Sequence, residues 1–108
     1  MSDPLVVFST CGSDEEARRI ARHLVESRLA ACVNIVPAVE SVYWWQNHVE
    51  TAGEWLLIIK TCADLFEPLA AELKSVHSYE IPEILALPVL KGLPSYIQWI
   101  HDNVSKVN

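Results

Sequence analysis

The chain has few basic residues, no long apolar run and no closely spaced cysteines, and each shortage removes a class of function. Eight of the 108 residues are Lys or Arg against 14 Asp or Glu, for a formal charge of −6. Nucleic-acid binding draws its affinity from clustered basic side chains, and the only local group is Arg18-Arg19-Arg22. With Asp14, Glu15 and Glu26 nearby, that trio reads as the solvated, ion-paired face of a helix. No segment approaches the roughly 18 consecutive apolar residues of a membrane span. Met1-Ser2-Asp3-Pro4 lacks the basic start and apolar stretch of a secretory signal. Cys11, Cys32 and Cys62 have no metal-type short spacing, and one disulfide would leave an odd thiol. They read as reduced, mostly buried thiols of a cytoplasmic protein. No internal repeat or low-complexity tract is present.

What is there is apolar and ordered. Hydrophobic residues make up 51% and charged ones 20%, so residues 1–108 read as one globular domain. Leu5–Thr10 is β-branched and aromatic and reads as a buried strand. Ser13-Asp14-Glu15-Glu16 matches a capping box, with Ser13 as N-cap and Glu16 reaching back. The stripe Ala17, Ile20, Ala21, Leu24 predicts a helix to about Arg28. A second strand starts at Cys32, with a bulge or edge position at Pro37, and resumes through Trp44-Trp45. Asn47 suits a tight turn, so 46–50 is a hairpin tip. The return strand, 54–61, is apolar at every central position, which predicts cover on both faces.

Asp64-Leu65-Phe66-Glu67 predicts a second capped helix, running to about Val76 with Pro68 in its first turn. Residues 84–90 predict a buried strand and 94–100 a short helix. The order β-α-β-β-α-β plus one helix defines an α+β, ferredoxin-like sandwich with a long hairpin between the second and third strands. Helices then cover only one sheet face, while Trp44 and Trp45 point to opposite faces. The uncovered patch and the open hairpin edges predict a homo-oligomer.

The chemistry concentrates in His77-Ser78-Tyr79-Glu80-Ile81-Pro82-Glu83. One imidazole, two carboxylates and a phenol sit in a loop before a strand, where binding residues tend to lie. His77, Glu80 and Glu83 are the candidate metal ligands. The same groups also read as hydrogen bonds of a subunit seam, with Lys60 paired to a carboxylate and Tyr79 packed on Trp45 or Trp99. His48, at the hairpin tip, and His101 read as solvent-facing, and Cys32 as core. Cys11, beside Gly12 and a helix start, is the candidate for a lowered thiol pKa, against inert packing. Thr10-Cys11-Gly12-Ser13 offers backbone donors to an anion, as an acylphosphatase-like hydrolase needs. It holds no arginine, and no paired nucleophile and base is evident. Leu56-Leu57-Ile58-Ile59 lacks the aromatic-and-basic motif of an RNA-binding sheet.

Leu29-Ala30-Ala31-Cys32-Val33-Asn34, Tyr43-Trp44-Trp45-Gln46, Leu56–Thr61 and His77–Glu83 closely resemble the CutA, or divalent-cation tolerance, family. The likeness runs on through Ala86–Val89 to Tyr96–Ile100. The resemblance implies a ferredoxin-like homotrimer, similar to PII-type signalling proteins, linked to copper and other divalent-metal tolerance and without catalysis. It implies no obligatory cofactor, copper or another divalent cation as a ligand, and no nucleic-acid or membrane partner. Some bacterial members bind copper through a cysteine ending the first strand and a His-His pair after the second helix. Those positions are Ser9 and Val76-His77 here, so only His77 is kept. Ser78 stands for the usual proline and Asn47 for the usual hairpin glycine. A ligand cleft between subunits, near Trp45, Lys60, Tyr79 and Trp99, is the accompanying expectation, with PII-like ligand sensing as the alternative to metal tolerance.

Overall fold

A computed structural model of the protein describes residues 2–105. The elements run β1 (Pro4–Cys11), α1 (Asp14–Glu26), β2 (Cys32–Trp45), β3 (His48–Cys62), a 3-10 turn (Ala63–Leu65), α2 (Phe66–Val76), β4 (Leu85–Pro88) and α3 (Pro94–Asp102). The predicted order is therefore observed. The strands form one antiparallel sheet in the order β2-β3-β1-β4. Among the described residues no helix is long and apolar enough to cross a membrane.

The core lies between the helices and one sheet face. Val7 pairs with Ile59 and Ser9 with Leu57, and residues opposite each other share a face. Ile20 and Leu24 of α1 and Leu69 and Leu73 of α2 close over Val7, Leu57 and Ile59. Helix α1 starts as predicted, with Ser13 Oγ accepting the Glu16 N–H at 3.1 Å. Its exposed face carries the pairs Arg18–Asp14, Arg19–Glu15 and Arg22–Glu26. It stops at Glu26 because Arg28 turns left-handed, at φ 64°, and the Leu29 and Ala30 N–H groups return to Leu24 O.

The Pro37 irregularity is a register shift between Val36 and Val39, with Ala38 at φ 62°. Gln46 and Asn47 both have positive φ, the geometry of a tight hairpin turn. Strand β3 begins at His48, earlier than expected, because the pairing continues to the tip. Strand β1 ends opposite Trp55, so residues 39–53 form a two-stranded ribbon that overhangs the sheet.

Four local expectations are corrected. Asp64 does not cap α2, which starts at Phe66 without a side-chain cap. Residues near the N-terminus anchor the turn before it, with Asp3 O accepting from Ala63 N–H and Ser2 Oγ from Asp64 N–H. Strand β4 is a four-residue edge rather than a buried 84–90 strand. Leu85 and Leu87 are 59% and 48% exposed, because they pair with Phe8 and Val6 on the face away from the helices. For the same reason 55–60 is covered on one side only, with Leu57 and Ile59 buried and Leu56 and Ile58 half-buried. Cys32, at the start of edge strand β2, is half-buried rather than core.

Candidate functional site

Helix α2 ends at His77, whose extended backbone (φ −84°, ψ 142°) turns the chain back across the β1–α1 junction. The His77 side chain is buried there, at 9% exposure. Its Nδ1 accepts the Tyr79 N–H at 3.0 Å. The proton of the neutral ring therefore sits on Nε2, which donates to Thr10 O at 2.8 Å. Cys11 Sγ lies 3.9 Å from the same nitrogen. Glu16 does not reach back to complete the capping box. Its Oε2 accepts the Ser78 N–H at 2.8 Å instead, tying α1 to the loop.

Donor atoms of Cys11, Glu16 and His77 all lie within 4.8 Å of one another, the one such group of three among the described residues. Burial, with Glu16 and Glu54 adding to it, pushes the Cys11 thiol up to about 12. The expected lowering at a helix start is reversed, because Cys11 is enclosed by the core and faces carboxylates rather than solvent. Burial works against the Glu16 anion, but hydrogen bonds from Ser78 and from the Gly12 backbone hold its carboxyl below the ordinary value. The cluster is thus a protonated thiol, a carboxylate and a neutral imidazole packed together.

A cavity of about 660 Å³ opens between the overhanging ribbon and the 79–83 loop. Tyr43, Trp44 and Trp45 face it from the ribbon, Tyr79, Glu80 and Glu83 from the loop, and Glu54 from the base of β3. Tyr79 OH donates to Glu54 Oε2 at 2.8 Å. Burial, reinforced by that bond and the Glu54 charge, raises the phenol above its ordinary range. Within one chain the Tyr79 ring rests on His77, with centroids 4.7 Å apart. It also lies over Gly12, where a Cβ would come within 3.0 Å of the phenol oxygen.

Of the residues predicted from sequence, the cavity gathers Trp45, Tyr79, Glu80 and Glu83. His77 sits behind Tyr79 with Cys11 and Glu16. Within one chain Lys60 Nζ donates to Asn34 Oδ1. Trp99 stacks on Tyr96 along α3, with centroids 5.5 Å apart. His48 is exposed, whereas His101 is half-buried, with Nδ1 3.4 Å from Cys62 Sγ. Ser9 is fully buried, and its Oγ has no hydrogen-bond partner among the described residues. Val76 offers its carbonyl to Arg19. Sequence reasoning missed Glu16 and Glu54 as site residues. Glu16 was occupied by a capping role, and Glu54's only signal was an acid directly before an apolar strand.

An antiparallel α+β sandwich carrying a thiol–carboxylate–imidazole cluster beside an aromatic cavity defines a small protein with soft and borderline metal-type donors. The family profile "CutA1 divalent ion tolerance protein" matches residues 5–103. The chain is 48% identical over 98 residues to the divalent-cation tolerance protein CutA of Thermus thermophilus, covering 91% of this chain and 95% of that one. It is 43% identical over 99 residues to the chloroplastic Protein CutA 1 of Oryza sativa, covering 92% of this chain and 56% of that one. The crystal structure of CutA1 from Oryza sativa matches with a TM-score of 0.95 at 40% identity, covering 98% of this chain and 97% of that one. The chain belongs to the CutA divalent-cation tolerance family. It spans about half the length of the curated rice relative, and none of these names denotes an enzyme.

Proposed function

We propose that the protein is a non-catalytic, cytoplasmic homotrimer of divalent-metal tolerance that takes copper or another divalent cation at Cys11, Glu16 and His77. The observation that carries the metal reading is the meeting of those three donors within 4.8 Å. A thiolate, an imidazole and a carboxylate together suit copper or zinc better than magnesium or calcium. Binding releases the Cys11 proton, so affinity rises with pH. Glu80 and Glu83 belong in this reading to the neighbouring cavity, as part of a ligand cleft. Lys60 and Trp99 complete that cleft from across a subunit boundary.

The trimer reading rests on surface left open in one chain. A two-stranded ribbon is marginal in water by itself, and residues 39–53 form one. Leu56, Ile58, Leu85 and Leu87 extend an aliphatic patch on the uncovered face. Closed assembly satisfies such edges and faces together. The β2-β3-β1-β4 order fits a ferredoxin-like subunit of a PII-type trimer. Light scattering is expected to give about three times the chain mass of 12.1 kDa; a monomer at micromolar concentration would remove this part.

Calorimetric titration of Cu²⁺ and Zn²⁺ into wild type, Cys11→Ser and His77→Ala tests the metal part. Binding weakened in both variants is expected. Indistinguishable binding in all three proteins discards the cluster. One observation favours a second reading, PII-like ligand sensing without metal: both His77 nitrogens are already hydrogen-bonded. Absence of metal heat in wild type would select it.

A further inference from the structure

We infer that His77 is a metal-responsive latch, which holds the loop after α2 closed through the Tyr79 amide until it gives the same lone pair to a metal ion. The inference rests on the metal reading above and deepens it, by naming what metal binding changes in the chain.

Two of the three candidate ligands hold consecutive backbone amides of that loop. Glu16 Oε2 accepts the Ser78 N–H at 2.8 Å, and His77 Nδ1 accepts the Tyr79 N–H at 3.0 Å. A carboxylate has lone pairs enough for an amide and an ion together. A neutral imidazole has one ring proton and one lone pair in the ring plane, and the Tyr79 amide occupies that pair. His77 must give it up to a metal ion whichever nitrogen it uses. Ligating through Nδ1, the ring keeps no acceptor for Tyr79. Ligating through Nε2, the nitrogen 3.9 Å from Cys11 Sγ, it gives up the bond to Thr10 O and carries its proton on Nδ1. That proton would face the Tyr79 N–H, donor against donor, across the same 3.0 Å. His77 therefore holds the Tyr79 amide or an ion, never both.

Tyr79 carries this exclusion outwards. Its ring lies on His77, with centroids 4.7 Å apart, and over Gly12. Its hydroxyl donates to Glu54 Oε2 on β3 at 2.8 Å. These contacts fix the closed position, and they loosen together once the amide is displaced. All the groups concerned belong to one chain and touch directly, so the competition does not depend on what a second copy adds to the neighbouring cavity. By linkage, whatever strengthens the closed loop weakens metal binding, and the reverse.

Calorimetric titration of Zn²⁺ into wild type and Tyr79→Phe tests the latch. The substitution takes the Glu54 bond from the closed state and leaves every candidate ligand in place. Zinc should therefore bind about fivefold tighter in the variant, as for loss of one hydrogen bond from the competing state. Unchanged or weaker binding, the result expected of a merely structural tyrosine, overturns the inference. Amide exchange in wild type, followed by NMR, decides the matter if the variant does not fold. At saturating zinc the Tyr79 amide should exchange about tenfold or more faster than in the metal-free protein, with the Leu57 and Ile59 amides unchanged. Zinc binding with Tyr79 exchange unaltered sinks this inference alone. Absence of zinc heat in both proteins removes the metal reading itself, and the latch with it.

Discussion

Replacing Ser9 by alanine should stabilise the protein, and the expected size follows from its surroundings. Ser9 is fully buried on the face beneath the helices, opposite Leu57, and its Oγ meets no hydrogen-bond partner among the described residues. A hydroxyl taken from water without a partner costs about 1–3 kcal/mol by mutational measures. Ser9→Ala removes that oxygen and keeps Cβ. The void is about 10 Å³, which at about 24 cal/mol per Å³ costs only about 0.2 kcal/mol. The net gain is about 1 kcal/mol or more, a rise in Tm of about 4–8 °C per kcal/mol for a domain near this size. Thr61→Val is the control with the opposite sign. Thr61 is also fully buried, but its Oγ1 donates to Leu29 O at 2.7 Å. Valine leaves that carbonyl unpaired and should cost about 1–3 kcal/mol. Differential scanning calorimetry at one protein concentration checks both, since assembly shifts Tm by mass action. A lower Tm for Ser9→Ala would refute the reasoning.

Two further outcomes follow from local features. The Cys11 thiol titrates at about 12 when folded against an ordinary 9.0, so above pH 9 the unfolded chain loses that proton first. Stability should fall between pH 9 and 12, by up to about 1.4 kcal/mol per pH unit from this group. Urea unfolding of Cys11→Ser should show a shallower fall, and an equally steep one contradicts the assignment. Arg28→Gly should raise the urea midpoint, by a stability gain of about 0.5–1 kcal/mol, because arginine at φ 64° is strained where glycine is not. A lower midpoint would mean that the Arg28 contacts to Asn103 outweigh the strain.

The sequence carried the parts of the fold governed by neighbours along the chain. The hairpin tip at Asn47, the Pro37 irregularity, the Ser13 cap and the ion pairs on the exposed face of α1 all depend on residues within a few positions. What it did not carry depends on distant contacts. Residues 84–90 and 55–60 are apolar whether the cover comes from the same chain or another copy, so periodicity assigned them to a core that one chain lacks. Asp64 has the local pattern of a cap, but Ser2 and Asp3 reach the turn first. Cys11 and His77 meet across 66 positions, and no local pattern marks such a meeting. Glu16 had a complete local explanation, which concealed its bond to Ser78. The loop at 77–83 is a stretch of the sequence dense in ligand-type side chains. Its residues divide between two places, however, with His77 facing the thiol and Tyr79, Glu80 and Glu83 facing the cavity.

The central claim is that the metal site centres on Cys11 rather than on the loop carboxylates. X-ray absorption at the zinc edge of the zinc-loaded protein tests it most directly. The account predicts a sulfur scatterer at about 2.3 Å together with nitrogen or oxygen at about 2.0–2.2 Å, and loss of the sulfur shell in Cys11→Ser. A first shell of nitrogen and oxygen alone in the wild type would contradict it.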